Sequence, residues 1–335
     1  MSKEIFSKRR RRKLKAKYIR RRIGMASILI VALVFGGMKI VLSGKSAVVK
    51  GNTESKVESN VDINKNKDGI LSNEEVNNVE EMTVELPKYE ANDIVPGSNV
   101  TFEGKAHVVS VQDVKNMVDG SYDGDEKYVF LTFDDGPSPL TNQVLDILNE
   151  NEAKATFFVL GSMLENGQTP KDTLKRTIME GHALANHSYS HNFKSLYPGN
   201  VTDIDYFMKE FAKTNNIMKE ILGVEFDTNV LRMPGGYNSR VYYKDSNLEN
   251  LNSTLKENNI VSIDWNALNG DAEGKQYSNE QMIDYVKRTS NGKNQVVLLM
   301  HDAYGKEKTV NILPEVIKYY KEQGYEFKTI SDANL

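Results

Sequence analysis

From Lys127 to the C-terminus, short runs rich in β-branched and aromatic residues alternate with longer segments of helical periodicity. This alternation limits the chain to a few α/β arrangements, because parallel strands need long crossovers and helices are the usual crossover. Residues 128–133, 155–160, 182–186, 230–233, 260–265, 296–300 and 326–330 read as strands. Residues 138–151, 171–180 and 203–222 read as helices, the last placing Phe207, Phe211, Ile217 and Ile221 near one face. About seven strands in about 210 residues predict a distorted (β/α) barrel, with a doubly wound open sheet as the alternative. In either fold, catalytic groups gather where strands end.

The strand ends carry chemistry. Leu131-Thr132-Phe133 runs into two adjacent carboxylates, Asp134 and Asp135, and Gly136-Pro137 then breaks the strand. Paired carboxylates repel unless a metal, an arginine or a shared proton intervenes. One on a metal and one free to move protons is the natural division. His187 and His191 stand four apart, which on a helical turn puts both rings on one face. Two histidines and a carboxylate make a plausible zinc triad with positions left for water and substrate. A polar turn would also explain the pair taken alone. Arg232 ends a strand in Pro234-Gly235-Gly236, where it can fix a carboxylate. Trp265, the only tryptophan, lies between two further acids, Asp264 and Asp271, and core packing would equally account for it. His301 ends the apolar run Val297–Met300 and is one of five histidines. With no cysteine, disulfides, thiolate metal sites and a cysteine nucleophile are excluded.

Taken in order, Thr132-Phe133-Asp134-Asp135-Gly136-Pro137, His187-Ser-Tyr-Ser-His191, Arg232-x-Pro234-Gly235, Asp271 and Leu299-Met300-His301 resemble the five motifs of the polysaccharide deacetylases of carbohydrate esterase family four. The resemblance covers about residues 125–335 and is strongest toward membrane-anchored peptidoglycan N-acetylglucosamine deacetylases of Gram-positive bacteria. The fourth motif departs from the pattern: Ala272 follows Asp271 where the family has Trp, and Asp264 is the alternative acid. The resemblance implies that Asp135, His187 and His191 hold a divalent metal, usually zinc, with cobalt or another divalent ion as alternatives. It makes Asp134 the general base, oriented by Arg232, and His301 the general acid, supported by Asp271. It gives the Gly235 N–H to the oxyanion and places Leu299 and Trp265 beside the substrate. The implied reaction removes acetyl groups from the GlcNAc residues of peptidoglycan glycan strands, leaving a more cationic wall and lysozyme resistance. MurNAc, another exported GlcNAc polymer, or a catalytically dead wall-binding module are the other readings.

The N-terminal third differs in character. Residues 1–22 hold 12 Lys or Arg against Glu4, a net +11, which leaves −14 for the rest of a chain whose formal charge is −3. A basic tail can mark a nucleic-acid binder. Here it precedes residues 23–42, which are apolar or small apart from Ser27 and Lys39. Twenty helical residues span about 30 Å, the thickness of a bilayer core. The reading is therefore an uncleaved single-pass membrane anchor with a cytoplasmic tail and an extracellular catalytic domain, and no nucleic-acid partner. A signal peptide cut near Val41 and Ser43 is the rival. Residues 43–95 read as a polar spacer. Within it, residues 64–75 have the spacing of an EF-hand loop, with Asn64, Asn66, Asp68 and Glu75 as ligands of a weak calcium site. Residues 96–125 read as a lead-in, with a β-like stretch at 100–111, to a catalytic domain at 126–335.

Overall fold

A computed structural model describes residues 89–332. The basic tail, the anchor at 23–42, the calcium-type loop at 64–75 and most of the spacer lie outside the described residues. Among the described residues, no helix is long and apolar enough to cross a membrane.

Seven strands form one curled, parallel sheet in the order β6-β5-β4-β3-β2-β8-β7. They are β2 (Tyr128–Asp134), β3 (Ala155–Val159), β4 (Ala183–Asn186), β5 (Val230–Leu231), β6 (Val261–Ser262), β7 (Ala267–Leu268) and β8 (Gln295–His301). No ladder joins β6 to β7 among the described residues, so the sheet is a half-barrel with an open seam. The expected final strand is split in two by Lys328. β9 (Glu326–Phe327) pairs with the first residues of β2, and β10 (Thr329–Ser331) pairs with β1 (Val108–Ser110) in a separate two-stranded sheet. It does not close the barrel, because β8 and β3 already occupy the flanks of β2 over most of its length.

Alternation along the strands builds two cores. On one face Val129, Leu131 and Phe133 pack with Leu145 and Leu148 of α2 (Pro139–Glu150) and with Leu313, Val316 and Ile317 of α8 (Glu307–Glu322). The other face of the sheet contributes Phe130, Phe158, Ala185, Val230, Ile263 and Val297 to a second core. That face is filled by α1 (Val111–Val118), through Val111, Val114 and Met117.

Most of the β-like stretch at 100–111 is therefore not strand. Only Val108–Ser110 pairs, and Ser110 then caps a helix by accepting from the Asp113 N–H. A side-chain oxygen at this position satisfies an otherwise orphaned donor and commits the chain to helix. The remaining helices that bear on the site are α3 (Gln168–Met179), α4 (Ile204–Leu222), α5 (Tyr237–Tyr242), α6 (Leu248–Glu257) and α7 (Asn279–Ser290).

Candidate active site

The carboxyl ends of β2, β4, β5 and β8 converge. Asp134, the last residue of β2, pairs directly with His301, the last residue of β8. The next residue, Asp135, adopts φ 74°. After this left-handed step Asp135 faces both histidines, while Asp134 faces Arg232 and also lies 3.8 Å from His187 Nε2.

Asp134 is buried and faces a buried arginine. Arg232 Nη1 donates to Asp134 Oδ1 at 2.8 Å and to Thr132 Oγ1 at 2.7 Å, while Nε donates to the Ile263 carbonyl at 3.1 Å. The guanidinium carbon lies 4.0 Å from the Phe158 ring centroid. A dry, multiply bonded guanidinium holds a carboxylate in one orientation.

Asp135 faces the two histidines. His187 Nε2 is 3.4 Å from Asp135 Oδ1, and His191 Nε2 is 3.6 Å from the same oxygen. The expected helical turn is absent; residues 187–191 form a loop in which Ser188 and His191 take φ 67° and 54°. The loop is braced from behind. Ser188 N–H donates to Asn186 Oδ1, and Ser190 donates to Glu210 of α4 through both its N–H and its hydroxyl. The result is the same juxtaposition of rings by another route, with centroids 5.1 Å apart.

This donor set fits a divalent ion. One ligand atom from each residue lies within 4.8 Å of the other two. Ligand bonds of about 2.0–2.2 Å at tetrahedral angles put neighbouring donors about 3.3–3.6 Å apart. His187 Nδ1–H donates to the Arg232 carbonyl at 2.7 Å, which fixes the tautomer and leaves Nε2 a free lone pair. Asp135 Oδ1 is buried with no hydrogen-bond partner. Burial opposes ionisation of Asp135, but His187 and then His191 outweigh it and hold the carboxyl below the usual range. Burial also opposes charge on His187, yet the Asp134 and Asp135 carboxylates win and push it up. Two imidazoles and a carboxylate, of which only His187 is fully buried, suit a cation of intermediate softness.

On the other side of Asp134, His301 Nδ1–H donates to Asp271 Oδ1 at 2.8 Å. The backbone N–H of His301 donates to Asp271 Oδ2 at 2.9 Å, and Thr309 Oγ1 donates to the same oxygen at 2.8 Å. Burial works against a charged His301, but Asp271 dominates and raises it to about 9. Asp264, the alternative acid, lies elsewhere: its two oxygens accept from the N–H groups of Tyr237 and Asn238 at the start of α5.

Gly235 and Gly236 take φ 75° and 81°. A Cβ on Gly236 would sit 2.9 Å from the Trp265 ring, so glycine is required for that approach. Trp265 is half-buried, 5.7 Å from the Arg232 guanidinium carbon. Leu299 is buried, two residues before His301 and so on the same side of β8. The two remaining histidines play no part; His182, for instance, is buried and accepts from the Ala155 N–H.

One residue of the site has no counterpart in the sequence reading. Asp302 follows His301, is buried, and is raised to about 7 by desolvation. Thr141 Oγ1 donates to its carboxylate, Ser138 Oγ donates to its carbonyl, and its N–H donates to the Asp134 carbonyl at 3.3 Å. It ties the loop after β2 to the end of β8. Gly136 lies so close that a Cβ there would be 2.4 Å from Asp302 Oδ2. The sequence clue was the His-Asp pair at the end of an apolar strand.

Comparison with known proteins agrees with this geometry. Residues 121–253 match the polysaccharide deacetylase family model. A peptidoglycan-N-acetylglucosamine deacetylase of Bacillus cereus is 29% identical over 270 residues, covering 77% of this chain and 81% of that protein. A peptidoglycan-N-acetylmuramic acid deacetylase of Bacillus subtilis is 30% identical over 209 residues, covering 62% and 71%. A Streptococcus mutans family-four carbohydrate esterase structure superposes with a TM-score of 0.66 at 35% identity, covering 72% of this chain and all of that one. With its strand ends, paired acids and histidines in this arrangement, the chain belongs to the polysaccharide deacetylase family, hydrolases that act on amide C–N bonds.

Proposed function

We propose that this protein is a metal-dependent N-deacetylase that removes acetyl groups from GlcNAc residues of peptidoglycan, releasing acetate and leaving glucosamine. The observation that carries the reading is the meeting of three units around one point: the Asp134–Arg232 pair, the Asp135–His187–His191 donor set and the His301–Asp271 pair. The choice of GlcNAc follows the name of the B. cereus relative; the B. subtilis relative supports MurNAc as the second reading.

In this scheme Asp135, His187 and His191 hold the ion, zinc on our reading. When bound, a divalent cation polarises the acetamide carbonyl and acidifies water. Asp134 accepts the proton of the attacking water, and Arg232 keeps its carboxylate oriented throughout. The Gly235 N–H faces the oxygen on which negative charge develops. His301 donates the proton that the departing nitrogen needs, since an amide anion is a very poor leaving group. Asp271 keeps His301 charged for that step. Leu299 and Trp265 border the acetyl group and exclude water from it.

The segment 23–42 would hold the catalytic unit at the outer face of the membrane, where a tether raises effective concentration near the wall. The net −14 beyond residue 22 gives no attraction to an anionic wall, so recognition rests on local contacts. Free amines in the glycan would reduce lysozyme sensitivity.

The test is acetate release from fully acetylated peptidoglycan by the full chain. Asp134→Asn is expected to lower turnover about 10²–10⁴-fold while bound metal stays at the wild-type ratio. Wild-type activity in that variant would remove Asp134 as the base. The position of the new amine separates GlcNAc from MurNAc.

A further inference from the structure

One margin of the open seam, the free edge of β6, lines a groove. A cavity of about 620 Å³ runs along the free edge of β6, between α1 and α6, and reaches the start of α5. This lies within the size range of small-ligand sites.

Its lining mixes aliphatic side chains, among them Val118, Leu255 and Ile260, with polar ones. The side chains of Gln112, Asn238, Asn252 and Asn259 bring four carboxamides to one cleft, with the phenol of Tyr237 beside them. Charges in the groove are mostly spent internally. Lys115 lies 3.8 Å from Asp119, and Asp264 accepts from the two N–H groups at the start of α5, at 2.7 and 2.8 Å. Lys256 alone among the lining charges has no such partner. The floor is also polar. Val261 and Ile263 give their N–H groups to the carbonyls of Asn229 and Leu231, so alternation of the parallel ladder turns the N–H and C=O of Ser262 toward the seam. The Ser262 hydroxyl is buried with no hydrogen-bond partner.

The groove ends beside the active site, since its lining residues Tyr237 and Asn238 directly follow Gly235 and Gly236. The Asp264 carbonyl at its upper end accepts from Arg232 Nη2 at 3.4 Å, and the same guanidinium holds Asp134.

We infer that this groove is a second subsite for the polysaccharide, binding a neutral run of N-acetylhexosamine units beyond the acetamide being cleaved. The inference rests on the proposed function for the identity of the polymer. Amide and hydroxyl groups pair with sugar hydroxyls and acetamides, and a phenol ring gives a face for a pyranose. An extended peptide is a poorer fit, because the two-residue β6 offers one outward N–H and C=O, too few for strand addition.

The test compares two substrates of the metal-loaded full chain: long glycan strands stripped of stem peptides, and a GlcNAc trimer. Asn252→Trp and Gln112→Trp block the groove from opposite walls, on exposed helical positions. Each is expected to raise KM on the long strands several-fold, with kcat on the strands and kcat/KM on the trimer unchanged. An unchanged KM on the strands in both variants overturns the proposal. So does a loss confined to strands that keep their stem peptides, which would assign the groove to peptide. If the wild-type chain releases no acetate from any substrate, the proposed function fails. Co-sedimentation with peptide-free strands then still decides the groove, since the blocked variants must bind less for the inference to stand.

Discussion

Asp271 holds the proton on His301, and that pairing sets how the activity depends on pH. His301 is raised to about 9 because the Asp271 hydrogen bond and charge outweigh burial, with Asp134 and Asp135 adding smaller contributions. A reaction that needs the protonated imidazole keeps it through neutral pH and loses it as pH rises through about 9. The native state also holds this proton more tightly than the unfolded chain, whose histidine titrates near ~6.5. Its stabilising contribution is therefore complete below that value and vanishes as pH rises through the folded one. In Asp271→Asn the alkaline limb of kcat should move down toward ~6.5, with kcat at neutral pH reduced about tenfold or more. An alkaline limb that stays in place would show that another group sets it. At this scale the sequence spoke clearly where a residue ends an apolar strand: Asp134, Arg232 and His301 all do. It left Asp264 and Asp271 open because their order along the chain does not reveal that β7 brings the segment back beside β8. Asp271 lies three residues past that short strand and meets His301. Asp302 offered only the His-Asp pair as a clue, because its role is to be bonded by Ser138 and Thr141 at the start of α2, far along the chain, and no local pattern carries that.

The elements were legible in proportion to their hydrophobic length. β2, β3 and β8 are apolar runs buried on both faces, and their positions agree with the sequence to within a residue or two. β7 has two residues and no signal of its own. The helix α1 was missed for a different reason. Only Val111, Val114 and Met117 of its eight residues are buried, and the preceding valines suggested strand. Its place is nonetheless central, because it fills the face of the sheet that a closed barrel would cover with its own far wall. Val114 is fully buried against that face. Val114→Ala should therefore cost about 2 kcal/mol, through lost burial and the cavity left behind. A denaturant titration reads this directly. If α1 meets the glycan only in the groove, KM on a GlcNAc trimer stays at the wild-type value. A change in that KM without loss of stability would instead place α1 at the reacting sugar.

For the whole molecule, the donor set matters beyond its chemistry. Asp135 follows β2, while His187 and His191 follow β4, and β3 lies between those strands in the sheet. A cation there would tie together segments about 50 residues apart in sequence that the ladder connects only indirectly. It would also relieve the repulsion of Asp134 and Asp135, whose carboxylates otherwise depend on Arg232 and the histidines. An ion that binds only the folded state stabilises it by mass action, about 2.7 kcal/mol at a hundredfold excess over Kd. For a unit of this size, each kcal/mol moves the thermal midpoint by about 2–4 °C. Chelation should then lower the midpoint by about 5–10 °C, and added zinc should restore it. His191→Ala keeps the sheet and its cores but removes one donor, so its midpoint should respond weakly to either treatment. The comparison separates a bound ion from general salt effects, which would shift both proteins alike. A wild-type midpoint indifferent to chelator and zinc would mean that these three residues hold no cation, and that the acidity of the site is managed by Arg232 and the histidines alone.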